Sequence, residues 1–165
     1  MPLSAGQMVI PVSRWATPST IHRFVTERDV AFLCVDNHKT RKLVSGRAAR
    51  LEDCVLISSG NDSVENGHSG TFGNVQILIR RKGRNVTNQL TRFHPEIANP
   101  ADKRPDEAGC VALASSAPQI GITNFAVAAA SLSAFYAWHC GALEHEEMYL
   151  DILRGTMTAV KRVCR

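Results

Sequence analysis

Acidic residues are absent from one long part of the sequence, because neither Asp nor Glu occurs between residues 66 and 95. The chain also lacks any CxxC pair, and its five cysteines are odd in number and widely scattered. This spacing argues against a disulfide framework or a zinc module, so reduced thiols and synthesis in the cytosol are predicted. No basic segment followed by a long apolar run opens the chain, so no signal peptide is predicted.

Length and composition predict one ordinary globular domain. The chain has 165 residues, of which 44% are hydrophobic and 21% are charged, and its formal net charge is +4. From residue 121 onward four acids balance four bases, so the positive excess lies in the first 120 residues. That split favours a polyanionic partner for the N-terminal part of the chain.

The stretch 72–93 predicts a basic β-hairpin, because Lys82 and Gly83 can form a two-residue turn that pairs Arg81 with Arg84. Alternation then places Val75, Ile77, Ile79, Val86 and Leu90 on one face. The other face carries the polar side chains of Asn74, Gln76, Arg80, Asn85, Thr87, Gln89 and Thr91. Such a face suits contacts to the phosphates and base edges of a nucleic acid, although any antiparallel sheet with one solvated face is similar.

Further strands are predicted at 29–36, 40–48, 51–58 and 110–115, with loops at 60–73 and 94–109. Two helices are predicted to follow. Residues 125–139 are uncharged and apolar nearly all round, with Thr123 or Asn124 as the cap and Cys140-Gly141 as the end. Residues 143–165 are predicted as the second helix, with one stripe formed by Tyr149, Ile152, Leu153, Met157, Val160 and Cys164.

The predicted fold class is therefore α+β: an antiparallel sheet of about five to seven strands, then two C-terminal helices that pack across a dimer partner. One domain spans 1–165, divided into an N-terminal arm or edge strands (1–28), the sheet with its loops (29–120) and the helices (121–165). A second subunit is expected to bury the uncharged helix. The predicted dimer interface consists of Phe125, Ala128, Leu132, Phe135, Tyr136, Tyr149, Ile152 and Leu153.

Catalytic, metal and membrane signals are weak. Residues 67–71 resemble a G-x-S-x-G nucleophile context, but Thr71 replaces the last glycine, and His22, Asp53 and Ser69 are too close in sequence for a two-barrel protease. His139, Cys140, His145 and Cys164 lack paired metal spacing. The uncharged helix is about as long as a short membrane span, but the amphipathic segment after it favours burial in protein. We therefore predict no catalytic residue, metal, cofactor, small-molecule substrate or membrane contact.

The order of these predicted elements resembles the levivirus-type coat proteins of single-stranded RNA bacteriophages, over most of the chain from about residue 29. In that family the helices lie across the partner's sheet, and the opposite sheet face lines a shell and binds an RNA hairpin. Carried over to this sequence, the resemblance implies that RNA binds Gln76, Arg80, Lys82, Asn85, Thr87, Gln89 and Thr91. The loop 94–109 is then a candidate for contacts at symmetry axes.

The expected function is a self-assembling, non-enzymatic structural protein, a viral coat that encloses genomic RNA and represses translation through an RNA hairpin. Its expected partners are a second copy of itself and single-stranded RNA, and its expected place is the virion, after synthesis in the bacterial host cytoplasm. Two alternatives stay open. One is a dimeric nucleic-acid-binding regulatory protein that forms no shell, and the other is a small enzyme of unrecognised class.

Overall fold

A six-stranded mixed sheet forms the centre of the protein, with its strands in the order β1-β2-β3-β5-β6 and the short β4 paired to β3. The structure is a computed structural model that describes residues 11–62, 64, 69–104, 106, 107 and 120–162. In chain order the elements are β1 (Val30–Leu33), α1 (His38–Ala48), β2 (Cys54–Asn61), β3 (Phe72–Arg81), β4 (Arg84–Asn85), α2 (Gly121–His139), β5 (His145–Asp151) and β6 (Thr156–Lys161). Single 3₁₀ turns occur at Ile21–Arg23, Leu90–Arg92 and Pro95–Ile97.

The predicted antiparallel sheet followed by two C-terminal helices is wrong. Strand β1 runs parallel to β2, with Val30 opposite Val55, and helix α1 makes the crossover between them. Strands β5 and β6 follow α2 and join the same sheet through β3. Residues 121–165 are therefore not a helical layer, and the architecture is mixed α/β with one helix on each face of the sheet.

Helix α1 replaces the strand predicted at 40–48. Asn37 caps its N-terminus, because the Asn37 side chain accepts a hydrogen bond of 2.8 Å from the backbone N–H of Thr40. Val44 and Ala48, four residues apart, are buried on the side that faces the sheet. The cap and this spacing stabilise a helix where a second strand was predicted to return.

The hairpin β5–β6 replaces the second predicted helix. Met148 and Leu150 alternate toward the core, as a strand requires. The turn after β5 is built by Asp151, whose Oδ1 accepts hydrogen bonds from the backbone N–H groups of Leu153 (3.0 Å) and Arg154 (3.3 Å). Gly155 then adopts a φ of 65°, which a helix does not allow. The predicted stripe from Tyr149 to Val160 therefore does not exist as one face.

The basic hairpin turn is confirmed. Lys82 and Gly83 have φ values of 50° and 72°, and Arg81 pairs with Arg84 and Arg80 with Asn85, as the turn predicts. Beyond Asn85 the ladder ends, and the chain folds back across the sheet in two 3₁₀ turns. Leu90 is consequently buried on the face opposite to the one predicted.

Two hydrophobic cores lie on the two faces of the sheet. On the α1 face, Leu56 and Leu78 pack with residues of α1 and of the 3₁₀ turns, including Val44, Leu90 and Ile97. On the α2 face the core contains Val55, Ile57, Val75, Ile77, Ile79, Val127, Ala130, Ala134, Leu143, Met148 and Leu150. The predicted grouping of Val75, Ile77 and Ile79 on one face beneath a helix is thus confirmed.

The uncharged helix is also confirmed, and it ends at His139, before Cys140-Gly141. It begins earlier than predicted, because Ile120 is the N-cap and the Thr123 side chain instead donates a hydrogen bond of 2.7 Å to the carbonyl of Gly70. Within the described residues, no helix has both the length and the apolar character needed to cross a membrane. The strand predicted at 110–115 and the first ten residues of the N-terminal arm lie outside the described residues.

Candidate functional site

A cavity of about 670 Å³ opens where β1 and β2 end. Residues 34–36 follow β1 and line it, and residues 59–62 at the end of β2 line it as well. The start of β3, together with His94 and Tyr149, completes its polar wall, and α2 adds Val127 and Ala128. The carboxyl ends of parallel strands commonly form ligand sites in α/β proteins, and this volume lies within the usual range of such sites.

Arg41 joins α1 to the ends of β1 and β2. Its guanidinium is buried and donates hydrogen bonds of 2.7 Å to both the Ser58 hydroxyl and the Ser59 carbonyl, and a further one to the carbonyl of Val35. Burial lowers the pKa of Arg41, and Asp36 opposes that shift, but a guanidinium keeps its proton at neutral pH. The side chain therefore acts as a fixed structural cation in the cavity wall.

A second buried charge lies on the opposite wall. Glu147 is fully buried in β5, and its Oε1 lies 2.9 Å from Nε2 of His94, whose Nδ1 is 2.9 Å from Oε1 of Glu96. The hydrogen bond with Glu147 raises the pKa of His94 and that with Glu96 adds to it, while burial works against both. This pairing favours the imidazolium, which compensates the buried carboxylate.

Two aromatic side chains stand at the rim of the cavity. Phe72 is 49% exposed and Tyr149 is 38% exposed. Because Asn74 pairs with Tyr149 and Phe72 pairs with Asp151, the two rings occupy diagonal positions on one face of the sheet. The Tyr149 ring centroid is 6.4 Å from that of His94. Burial raises the pKa of the Tyr149 phenol and Glu147 raises it further, so the hydroxyl stays protonated.

Some buried polar atoms near the cavity have no hydrogen-bond partner in the described part of the protein. They include Nδ1 of His38, Nδ2 of Asn61 and Oε2 of Glu147. His38 and Asn61 both line the cavity. A buried polar atom without a partner carries a desolvation cost, which a ligand with complementary groups would remove.

The side chains predicted to bind RNA are partly covered. Gln76 is buried and donates to the Leu90 carbonyl (3.1 Å), and the buried Thr87 hydroxyl accepts from the Ile79 N–H (2.8 Å). The Arg80 guanidinium donates to the Leu51 carbonyl (3.0 Å) and to Asn85 Oδ1 (2.7 Å). Thr91 is half-buried, and only Lys82 and Gln89 are exposed.

Four of the predicted interface residues lie on the exposed side of α2. Phe125 (79%), Leu132 (60%) and Tyr136 (68%) are largely exposed, and Ala128 is exposed too. Phe135 is instead half-buried against Phe32, at a centroid distance of 5.7 Å. The remaining three lie away from α2: Tyr149 at the cavity rim, Ile152 half-buried after β5, and Leu153 exposed in the β5–β6 turn.

The exposed side of α2 has a regular pattern that was not predicted from the sequence. We define the α2 stripe as the exposed residues Ile122, Phe125, Ala129, Leu132 and Tyr136. They are separated by three, four, three and four positions, which is the spacing of residues that join helices in coiled coils. No charged side chain occurs anywhere on α2.

A second cavity, of about 740 Å³, runs along the outer side of α1. We define this basic groove by the cationic side chains that line it, Lys39, Lys42, Arg47, Arg50 and Arg104. Gly46 and the loop residues Asn99 and Pro100 also line it, and none of its described lining residues is acidic. This groove was not predicted from the sequence, because the helix that forms it was predicted as a strand.

The cations of the basic groove differ in their partners. Lys39 pairs with Glu107 at 2.7 Å, and Arg104 pairs with Glu107 at 2.8 Å. The amine of Lys42 donates to the Ala98 carbonyl (2.5 Å) and Nε of Arg47 to the Val25 carbonyl (3.0 Å), and both of these acceptors are uncharged. Lys42, Arg47 and Arg50 make no ion pair with the described residues and are available to an external anion.

The other chemical alternatives receive no support from the geometry. His22 is exposed on the first 3₁₀ turn, Ser69 contacts the Thr71 hydroxyl at 2.6 Å, and Asp53 lies 3.8 Å from Arg81, so no triad forms. Among the residues that the structure covers, no group of three or more His, Cys, Asp or Glu side chains is placed to hold a metal ion. Cys164 lies outside that part of the chain.

No protein-family model matches this sequence, and comparisons with curated proteins and with solved structures find no match either. Function must therefore be argued from these three features: the polar cavity, the α2 stripe and the basic groove.

Proposed function

We propose that this protein is a self-associating, RNA-binding protein that uses the basic groove for the RNA backbone and the α2 stripe to join two copies. The observation that carries the proposal is the groove, where Lys42, Arg47 and Arg50 make no ion pair with the described residues, although Glu27 lies near enough to Arg47 for this cation to help lower the pKa of the Glu27 carboxyl. Phosphates would replace counterions at these positions, so binding would weaken as salt rises. RNA binding thus moves from the hairpin face to the outer side of α1.

The hairpin tip is a weaker candidate for the same contact. Arg81, Lys82 and Arg84 are exposed there. Arg81 lies 3.8 Å from Asp53, however, and Gly83 approaches the Glu52 carboxylate, so acids offset part of the positive charge. An RNA phosphate near this tip would meet repulsion as well as attraction.

The α2 stripe supports association between copies. Burying a large apolar side chain contributes about 1.5–3 kcal/mol, so Ile122, Phe125, Leu132 and Tyr136 supply at most about 6–12 kcal/mol from each copy, or about 12–24 kcal/mol from both. Association costs about 4–15 kcal/mol in lost freedom of motion, which offsets much of this gain. We therefore expect a reversible, concentration-dependent dimer in which one copy's stripe packs on the other's about a twofold axis.

The proposal has a larger and a smaller form. In the larger form dimers assemble into a viral coat around RNA and the protein resides in the virion; in the smaller form the dimer is a regulatory RNA-binding protein. The resemblance to phage coat proteins rested on a sheet followed by two helices, and that element order is absent. Both forms of the proposal include a dimer that binds RNA, and this dimer is what the experiments below test.

Gly46 provides a sharp test of the basic groove. It is exposed in α1, and a Cβ added there would meet nothing within 4 Å, so a longer side chain fits without a clash. We compare Gly46→Glu with Gly46→Gln, which have nearly the same shape and differ in charge. The assay is fluorescence polarisation with a labelled single-stranded RNA, from about 50 to about 200 mM salt.

We expect wild type and Gly46→Gln to bind alike, with a logarithmic salt slope near −2 for about three neutralised phosphates. Gly46→Glu should bind about tenfold more weakly, because a carboxylate beside the phosphates costs about 1.4 kcal/mol. Equal affinity of the Glu and Gln variants would remove the groove from the proposal.

Size-exclusion chromatography tests the assembled form. A very large peak whose 260 nm absorbance survives nuclease would indicate a shell that protects RNA. A dimer that binds RNA without such a peak would indicate the regulatory form. A monomer at every concentration would contradict self-association.

A further inference from the structure

We propose that the polar cavity at the ends of β1 and β2 binds an unpaired nucleobase, presented by a free nucleoside or by single-stranded RNA. This inference rests on and deepens the proposed RNA-binding function. The cavity would still be expected to bind a nucleobase if the basic groove proved not to bind RNA. The first ground is the rim, where the exposed rings of Phe72 and Tyr149 lie on the same face of the sheet. Aromatic side chains on an exposed sheet face are a common platform on which bases stack.

The second ground is the polar lining. Nδ2 of Asn61 is buried without a partner in the described residues, and Asn61 lines the cavity. Asn74 lines it too, but its Nδ2 already lies 2.9 Å from Nε2 of His94. An amide offers a donor and an acceptor side by side, which matches the edge of a nucleobase. A base would thus stack at the rim and direct its edge to the Asn61 amide.

The third ground is the charge balance of the walls. The Arg41 guanidinium is occupied by Ser58, Ser59 and Val35, and His94 faces the Glu147 carboxylate. Neither cation is therefore left for a phosphate inside the cavity. A neutral, planar ligand with hydrogen-bonding edges fits this balance better than an anion does, so a nucleoside should bind at least as well as its monophosphate.

The matched variants are Tyr149→Leu and Tyr149→Phe. Leucine removes the ring, whereas phenylalanine keeps the stacking surface and removes the hydroxyl alone. Asn61→Ala tests the polar lining, and Asn99→Ala, in the basic groove, is its control. Thermal unfolding of each variant establishes that it is folded before binding is measured.

Binding of adenosine, guanosine, cytidine and uridine is measured by isothermal titration calorimetry, with ribose alone as the probe that lacks a base. We expect at least one nucleoside to bind and ribose not to bind. Tyr149→Leu and Asn61→Ala should each weaken nucleoside binding by about tenfold or more, whereas Tyr149→Phe and Asn99→Ala should leave it within about twofold. Equal binding of ribose and nucleosides, no binding of any nucleoside, or no effect of Tyr149→Leu would overturn the inference.

A second arm separates the two sources of the base. A labelled single-stranded RNA is compared with an abasic strand of the same length, using wild type, Tyr149→Leu and Gly46→Glu. If only Gly46→Glu weakens RNA binding while Tyr149→Leu weakens nucleoside binding, the cavity takes free nucleosides. If Tyr149→Leu weakens binding of the RNA but not of the abasic strand, while Gly46→Glu weakens binding of both, the cavity takes a base of the bound strand. If nucleosides bind and RNA does not, the cavity inference stands and the proposed function falls.

Discussion

Helices α1 and α2 lie on opposite faces of one sheet. Helix α1 carries charged side chains on both its buried and its exposed side, whereas both sides of α2 are mainly apolar. The inner side of α1 buries a charged residue, Arg41, beside Val44, and its outer side carries the basic groove. The inner side of α2 buries Val127 and small residues, whereas its outer side is the apolar α2 stripe. Because the buried sides of both helices pack on the sheet, it is their exposed sides that are free to contact another molecule.

The largest expected effect distinguishes the two sides of α2. Val127→Asp places a carboxylate in the core, so we expect a loss of about 4 kcal/mol or more and no cooperative thermal transition. Leu132→Asp changes an exposed position, so the free energy of unfolding should change by less than about 0.5 kcal/mol. Its effect should appear in sedimentation equilibrium, as a dimer about a hundredfold weaker. A Leu132→Asp protein that still dimerises would show that the α2 stripe is not the interface.

The next effect concerns the charged inner side of α1. Arg41→Met leaves the Ser58 hydroxyl and the carbonyls of Val35 and Ser59 without their donor, which should cost about 3 kcal/mol or more in urea unfolding. Arg41→Lys should restore only part of this, because one ammonium cannot reproduce the planar fork. Lys42→Met, on the exposed side of the same helix, is the control and should change stability by about 0.5 kcal/mol or less. Similar losses for both Met variants would contradict this distinction between the inner and outer sides.

A smaller effect comes from the His94 and Glu147 pair beneath the α1 side of the sheet. Because folding raises the pKa of His94, its contribution is fully present below the unfolded value of about 6.5 and is lost as pH rises through the folded value. Burial lowers the pKa of His145, but that group is neutral in both states above about pH 7 and adds nothing there.

Wild type should therefore lose about 1–2 kcal/mol of unfolding free energy between about pH 6.5 and about pH 9, the size of a charge-assisted hydrogen bond. His94→Gln should show a flatter profile over the same range. Urea unfolding at several pH values measures both proteins. Parallel profiles would mean that the imidazolium is not what the Glu147 carboxylate stabilises.

The smallest effect separates two basic surfaces. Neutralising Lys42 and Arg50 together, both to Gln, should weaken RNA binding about tenfold and make its salt slope shallower. Neutralising Lys82 and Arg84 at the hairpin tip in the same way should weaken it by no more than about threefold, because Glu52 and Asp53 lie near that tip. The reverse ranking in fluorescence polarisation would return RNA binding to the hairpin.

Local patterns were sufficient to predict several elements. Lys82-Gly83 predicted a tight turn and its register, because few conformations join two strands through two residues. The uncharged segment before Cys140 predicted α2. Its apolar character on more than one side led to the expectation of a second subunit, which stays a prediction. The elements α1, β5 and β6 were not found, because residues 40–48 and 143–165 each fit both a helical and an extended pattern.

The sequence by itself determined the hairpin turn, the uncharged helix and the grouping of Val75, Ile77 and Ile79 on one face, since each depends on neighbours within a few positions. The tertiary structure alone decided the three candidate sites. Gln76 is buried because residues 89–97 fold back over the sheet, and the cavity forms because β1 and β2 end at the same edge. Such placements depend on contacts between residues far apart in the chain. The same is true of residues 40–48, which form a helix rather than a strand because Arg41 and Val44 are then buried against the sheet.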